Sequence, residues 1–402
     1  MSAICKPLQS ADLAIILTCF TRWKIKSKKM LRINVFPVSY SLTLVYKVVL
    51  ECRLRQYLFR WILRMDNSIE RVLVVGLGSI GKRHVRVIRK LYPDIKITVL
   101  RHKHCDDNDV EALGLYSCVT TIEDSLAFQP DAAIIANPAT KHLEVATPLA
   151  ESGVHLLIEK PIAASSEGIQ DLINLCKRRQ IVLMTAYNLR FLPSLKEFRS
   201  QLQQEKIGIL YLVRAEVGQY LPNWRPRSDY RTTVSAQKRL GGGVLLELSH
   251  EIDYLLWIFG SLRWVKSHVS KLSDLEIDVE DTANIILEFE NQSGNRLTVT
   301  LNMDFIRHDT TRQCLVVGEK GSLRWDGTVG EVQYFPEGGK KWEVLYSSMP
   351  GRDYTYEEEI KYFFSSIESG KSPLISGENG LEVVLAIEAI NESSNGDSSV
   401  YL

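Results

Sequence analysis

The run Arg71-Val-Leu-Val-Val75, followed at once by Gly76-Leu-Gly78-Ser79-Ile80-Gly81, constrains this chain more than any other stretch, because it asks for a buried strand, a sharp turn and a helix in that order. Gly76 permits the turn, Gly78 lets the backbone approach a pyrophosphate, and Gly81 lets the helix pack on the strand. The helix start at Ser79 and Ile80 adds unpaired N–H donors and a positive dipole end. Ile80, Val87, Ile88 and Leu91 then recur at helical spacing until Pro93 stops the helix. The implied ligand is NAD or NADP.

From residue 69 to 186 the pattern alternates strand and helix. Residues 95–100, 131–136, 154–158 and 181–186 read as strands, residues 141–152 and 165–179 as helices, and Thr121-Ile-Glu-Asp124 as a helix cap. That is a doubly wound parallel sheet of the Rossmann type. After a short helix at 193–203 the strands lengthen, at 209–217, 265–272, 282–290, 296–303, 314–318 and 322–325, with residues 291–294 as a hairpin connection. One helix at 243–259 and two more at 354–369 and 380–391 would cover them. The second domain is therefore expected to be α+β, with an open, largely antiparallel sheet.

About twenty residues beyond the glycines, an NAD site usually places an acid on the ribose 2′-hydroxyl. Here stand Arg101-His102-Lys103-His104, a cluster that suits a 2′-phosphate, so NADP is favoured over NAD. Asn137-Pro138-Ala-Thr-Lys-His142 follows one strand and Glu159-Lys160-Pro161 ends the next, both at the sheet edge where open α/β folds bind ligands. Gly241-Gly-Gly243 opens a later helix carrying Glu247, His250 and Asp253 at i, i+3 and i+6, on one flank.

With the glycine turn, the Asn-Pro loop, the Glu-Lys-Pro element and the Gly-Gly helix in order, the chain resembles the Gfo/Idh/MocA family of glucose–fructose oxidoreductase and inositol dehydrogenase over roughly residues 69–391. The resemblance implies an NAD(P)-dependent enzyme moving a hydride between nicotinamide and a hydroxyl or ketone carbon of a sugar, cyclitol or nucleotide sugar. Lys160 would stabilise the alkoxide and His250 act as acid/base, with Asp253 orienting it and Glu247 reaching the substrate. Family members commonly place an aspartate four residues before the histidine; here Glu247 stands three before. Gly76, Gly78, Ser79, Ile80, Gly81, Arg101, His102, Asn137, Pro138, His142, Glu159 and Lys160 are expected at the cofactor. Tyr187, Asn188, Arg190, Arg225, Arg227 and Tyr230 are expected on the substrate side, where arginines interleaved with aromatics suit an anionic sugar. The Glu-Leu-Ser-His-Glu-Ile-Asp-Tyr pattern looks like members from surface-polysaccharide sugar pathways, and members commonly pair through the second domain's sheet, so a homo-oligomer is expected.

Other readings stay open. A non-catalytic NADP-binding sensor would keep the cleft without needing an acid/base pair, and an enzyme reducing a tetrapyrrole or imine would not need the arginines. Composition, 45% hydrophobic and 24% charged, is that of a globular chain long enough for two domains. Seven scattered cysteines, without C-x-x-C pairs, fit a reducing cytoplasm and no metal site. The acidic remainder beyond residue 65 carries 37 lysines and arginines against 46 acids, a net −9, and argues against nucleic acid.

Residues 1–65 differ, with 12 lysines and arginines against two acids, a net +10. Residues 11–20 are apolar but too short to span a bilayer, and 33–50 contain Asn34, Pro37 and Lys47. The domain reading is a basic extension at 1–64, a dinucleotide-binding domain at 65–187 and a substrate and dimerisation domain at 188–402. The preferred reading of 1–64 is a dispensable or misassigned extension; membrane attachment is its alternative. Deletion of residues 2–64 is expected to leave a soluble protein that still binds nicotinamide cofactor; an insoluble product in a simple expression and pelleting assay contradicts the reading.

Overall fold

The computed structural model describes residues 68–103, 105, 107–290 and 294–402. The 1–64 extension, His104 and the connection at 291–293 lie outside the described residues. Strands β1 (Arg71–Val75), β2 (Lys96–Leu100), β3 (Ser117–Val119), β4 (Ala132–Ile135), β5 (His155–Glu159) and β6 (Leu183–Ala186) form one parallel sheet in the order β3-β2-β1-β4-β5-β6. Helices α1 (Ser79–Leu91), α2 (Asp107–Ala112), α3 (Ile122–Ala127), α4 (His142–Glu151) and α5 (Ile169–Arg179) join them. Because helices cover both faces, the runs Val72–Val75 and Ala132–Ile135 are apolar throughout, yet they alternate between two cores: Val72, Val74 and Ile134 face one, Leu73, Val75 and Ile135 the other. Each such aliphatic side chain, fully buried, contributes roughly 1.5–3 kcal/mol. The strand order reverses between β1 and β4, which opens a crevice at their C-terminal ends.

The glycine turn is sterically obligatory. Gly76 has φ +88°, its N–H donates to Leu100 O at 2.8 Å, and a Cβ there would lie 2.8 Å from Ala136 O. A Cβ on Gly81 would lie 2.0 Å from Gly76 O, so helix and turn touch through bare backbone. Thr121 caps α3 as its pattern suggests, accepting from Asp124 N at 3.1 Å. Strand β3 is the element no apolar run announces, having three half-buried residues. Its Cys118 forms a disulfide with Cys105, Cα atoms 6.0 Å apart, a link that the scattered spacing and the reading of a reducing compartment did not anticipate.

Helix α6 (Pro193–Gln203) leads into β7 (Leu210–Gly218), then α7 (Val244–Glu247), α8 (His250–Phe259), β8 (Ser261–Ser270), β9 (Thr282–Glu290), β10 (Arg296–Asp304), β11 (Thr311–Gly318), β12 (Gly321–Asp326), β13 (Glu331–Pro336), β14 (Glu343–Ser347), α9 (Tyr354–Ser369), α10 (Gly377–Gly396) and β15 (Val400–Tyr401). Nine of these strands make a second sheet, β14-β13-β12-β11-β7-β10-β9-β8-β15, antiparallel except for the β7–β10 pair. One face is packed: Val213, Ala215 and Val217 on β7 and Leu301 and Met303 on β10 are buried, whereas their alternates face outward. The single helix expected over 243–259 is broken between Glu247 and His250. No helix among the described residues is long and apolar enough to cross a membrane.

The last two helices return to the first sheet. Thr185 N donates to Ile375 O at 3.0 Å, Ser166 N to Glu388 Oε1 at 2.7 Å, and Lys177 pairs with Glu378 at 2.6 Å. Helix α9 lies on α1 through Arg83–Asp353 and Lys90–Glu357 ion pairs. Glu359 on α9 is fully buried, and neither oxygen has a partner among the described residues. Burial, and then the Glu159 carboxylate, push its carboxyl well above the usual range. A raised folded-state value means stability is intact at low pH and falls as pH rises from the ordinary carboxylate range towards that value. Glu359→Gln should therefore flatten the alkaline decline. Urea midpoints measured at pH 5 and pH 8 should diverge in the variant's favour; parallel curves would contradict this.

Candidate active site

The crevice begins at the N-terminus of α1. Its cap position is Gly78, no side chain caps the first turn, and no acid lies in it, so the first N–H groups are left for a ligand. A Cβ on Gly78 would meet nothing within 4 Å, so the turn faces open space. These features fit a dinucleotide pyrophosphate lying over Gly78, Ser79 and Ile80. Arg101, half-buried, and the exposed His102 and Lys103 follow β2 directly, and the Gly76–Leu100 bond sets them beside the turn. Asn137 and Pro138 follow β4, and Asn137 Oδ1 is a buried acceptor with no donor among the described residues.

Two residues expected at the cofactor have other partners. His142 is 1% exposed; its Nδ1 lies 3.1 Å from Pro161 O and its Nε2 2.8 Å from Asn137 O, so it is a strut between the two loops. Glu159 has Oε1 2.6 Å from His84 Nε2 on α1, and its Oε2 accepts from Lys160 N at 3.2 Å. Burial alone would raise the Glu159 carboxyl, but the His84 bond and charge outweigh it and leave it lowered.

The second domain reaches the crevice through its broken helix. Gly243 has φ +107°, and a Cβ there would overlap the Glu280 carboxylate, whose Oε1 accepts from Leu245 N at 3.2 Å and so starts α7. In an unbroken helix the Glu247 carbonyl would accept the Glu251 N–H. Here Glu251 N donates to Leu248 O instead, at 2.9 Å, which frees the Glu247 carbonyl. Lys160 Nζ occupies it at 2.6 Å. The Glu247 carboxylate accepts from Ser235 Oγ at 2.6 Å, which turns it toward the 230–240 loop. Lys160 and His250 thus meet where α7 gives way to α8.

His250 is not oriented by Asp253. Asp253, 0% exposed, takes a two-pronged bond from Arg190, Nε to Oδ2 at 2.9 Å and Nη2 to Oδ1 at 2.7 Å. Arg190 claims both carboxylate oxygens of Asp253, which are therefore committed away from His250. The same pair removes Arg190, 3% exposed, from the substrate side. What His250 meets is Arg312 of β11: Nη2 lies 2.6 Å from His250 Nε2, and Arg312 Nε donates to Glu251 Oε1 at 2.8 Å. Glu251 is fully buried, and loss of either member of that pair would strand a charge at a cost of ~3–5 kcal/mol. Burial, then the charges of Arg312 and Lys160, hold the His250 imidazole well below its usual range, so it is neutral at pH 7.

Of the remaining expected substrate residues, Tyr187 is fully buried, and burial raises its hydroxyl. Asn188 Nδ2 donates to Thr355 Oγ1 at 3.0 Å. Tyr187 thus lies in the interior, and Asn188 is tied to α9. Arg225 and Arg227 are exposed on the loop after β7, and Tyr230 Oη accepts from Glu276 N at 3.2 Å. Arg312 and Glu251 escaped the sequence reading. Their signal is parity: Arg312 shares the inward face of β11 with Cys314 and Val316, both 0% exposed, and a cation inside a packed face needs a buried anion.

This geometry has relatives. Residues 70–187 match the model of an oxidoreductase family's NAD-binding Rossmann fold, and residues 199–402 match the same family's C-terminal alpha/beta domain. Myo-inositol 2-dehydrogenase of Thermotoga maritima is 27% identical over 346 residues, 83% of this chain and 98% of that protein. Trans-1,2-dihydrobenzene-1,2-diol dehydrogenase of Xenopus tropicalis is 27% identical, covering 75% and 87% respectively. Among solved structures, levoglucosan dehydrogenase in complex with NADH superposes with a TM-score of 0.72 at 21% identity, over 82% of this chain and 98% of that one. The WlbA dehydrogenase of Bordetella pertussis, in complex with NADH and UDP-GlcNAcA, superposes with a TM-score of 0.68 at 21% identity, over 83% and 99%. With both domains matched in order and Lys160 brought to His250 at the sheet edge, the chain belongs to the Gfo/Idh/MocA family of NAD-binding oxidoreductases.

Proposed function

We propose that this oxidoreductase moves a hydride between nicotinamide and a carbinol or ketone carbon of a sugar, cyclitol or nucleotide sugar. The observation that carries the reading is the convergence of Lys160 and a neutral His250 beside the crevice that follows β1, β4 and β5. The bound nicotinamide supplies the hydride acceptor or donor at C4. In the oxidising direction the imidazole takes the hydroxyl proton and the Lys160 ammonium stabilises the charge that develops on the oxygen. Glu247, with its carboxylate on Ser235, lies near enough in sequence to bind a substrate hydroxyl beside them. Relatives named for inositol and levoglucosan, and one solved with UDP-GlcNAcA, support a polyhydroxylated substrate. The exposed Arg225 and Arg227 favour one that carries an anionic group, as a surface-polysaccharide nucleotide sugar does.

NADP is the preferred cofactor in this reading, on the strength of Arg101, His102 and Lys103 at the end of β2, although the solved relatives above carry NADH. The enzyme works in the cytoplasm as a homo-oligomer. Register supports pairing through the outer sheet face, where Ile286, Thr300, Arg214 and Leu315 form one row across β9, β10, β7 and β11.

A panel of inositols, hexoses and nucleotide sugars, followed at the absorbance band of reduced nicotinamide, tests the activity. With the best substrate, Lys160→Met should lower kcat by about 10²–10⁴-fold while cofactor affinity changes little; turnover close to wild type would defeat the assignment. The Michaelis constant for NADP should be lower than that for NAD, and Arg101→Ala should raise the former by about tenfold and leave the latter nearly unchanged. A clear NAD preference defeats the cofactor choice.

A further inference from the structure

The bond between Arg312 and His250 restricts the base in a way that Lys160 does not. A guanidinium has donors and no acceptor, so at 2.6 Å Nη2 must donate and His250 Nε2 must accept. The ring proton therefore sits on Nδ1. Protonation of Nε2 would set two donors face to face. Arg312 cannot easily turn away, because its Nε is held at 2.8 Å by Glu251 Oε1, a carboxylate with no exposed surface, which itself lies 3.4 Å from His250 Nε2. The strand side is equally committed. Arg312 pairs with Val217 of β7, its carbonyl accepts from Gly327 N at 2.8 Å, and a Cβ at Gly327 would come within 2.9 Å of Arg312 Cδ. The sheet corner leaves room for this arginine and little else.

We propose that Arg312 is the positioning residue of the base: anchored on buried Glu251, it aims the His250 imidazole and reserves Nε2 as the proton acceptor. The proposal rests on the reading of His250 as the acid/base. When a substrate hydroxyl enters, its O–H bond breaks, the proton passes to the Nε2 lone pair and the electron pair stays on oxygen beside Lys160. Arg312 then yields only its Nη2 bond and stays tethered through Nε. The charged groups bearing on the imidazole are Arg312 from β11, Lys160 from the loop after β5 and Glu251 from its own helix, while the Glu247 carboxylate is turned to Ser235 and Asp253 is taken up by Arg190. With two cations at hand and Glu251 engaged by one of them, proton uptake is disfavoured in the free protein, in the direction burial already sets.

The test is long-range ¹H–¹⁵N correlation NMR of the full chain labelled in its eight histidines, with His250→Asn for assignment, from pH 5 to pH 9. Wild type is expected to show Nδ1–H with an unprotonated Nε2, and to resist protonation at pH values where ordinary histidines titrate. Arg312→Lys should keep that resistance, because the charge remains. Glu251→Gln/Arg312→Gln replaces the ion pair by a neutral one and so avoids a stranded charge; with its fold verified by circular dichroism, its His250 should titrate at higher pH than in wild type. An Nε2–H tautomer in wild type, or an unshifted titration in the double variant, overturns the proposal. Nδ1–H without turnover of any polyol in the panel supports the positioning geometry and overturns the functional reading; turnover with an Nε2–H tautomer does the reverse.

Discussion

The site depends on one carbonyl. Because α7 ends at Glu247 and α8 begins at His250, the Glu247 carbonyl is released from helical bonding and receives Lys160 Nζ at 2.6 Å. That bond joins the loop after β5 in the parallel sheet to the helix break in the second domain, and it puts an ammonium and an imidazole at one edge. A continuous helix over the same residues would have used that carbonyl internally and turned His250 elsewhere.

Around that junction, carboxylates are matched to cations one by one. Glu159 holds His84, Asp253 holds Arg190, and Glu251 holds Arg312. All three acids are next to, or within three residues of, Lys160 or His250 in sequence, and each is buried. A buried carboxylate without a partner is costly, so each recruits its own cation or ring from another element. The consequence for chemistry is that none of them competes for the Lys160 ammonium, which is left on a neutral carbonyl. Glu359 is the exception, buried near Glu159 with neither oxygen partnered among the described residues.

The return of α9 and α10 onto the first sheet explains why the domain boundary near residue 187 is a boundary of sequence texture more than of packing. Thr185 on β6 and Ser166 before α5 are both bonded to residues beyond 370. The cleft is therefore braced from behind by the end of the chain.

Local physics made much of this legible. The glycine turn, the apolar runs of β1, β4 and β5 and the cap at Thr121 each need only a few neighbouring residues, because sterics and burial on both faces leave those stretches one conformation. Strand β13 and the edge strands β3, β14 and β15 were not legible, since half-exposed residues carry little alternation. Which acid meets which base was likewise beyond a linear reading. The family resemblance suggested that Asp253 would orient His250 and that Arg190 would bind substrate, but a bidentate pair between two residues 63 positions apart forms only in the folded chain. The sequence by itself determined the cofactor turn, the two sheets and the identity of Lys160 and His250 as candidates. Only the tertiary structure assigned their partners, because buried charges are satisfied by whichever opposite group the fold brings within about 3 Å, and that distance is set by packing rather than by order along the chain.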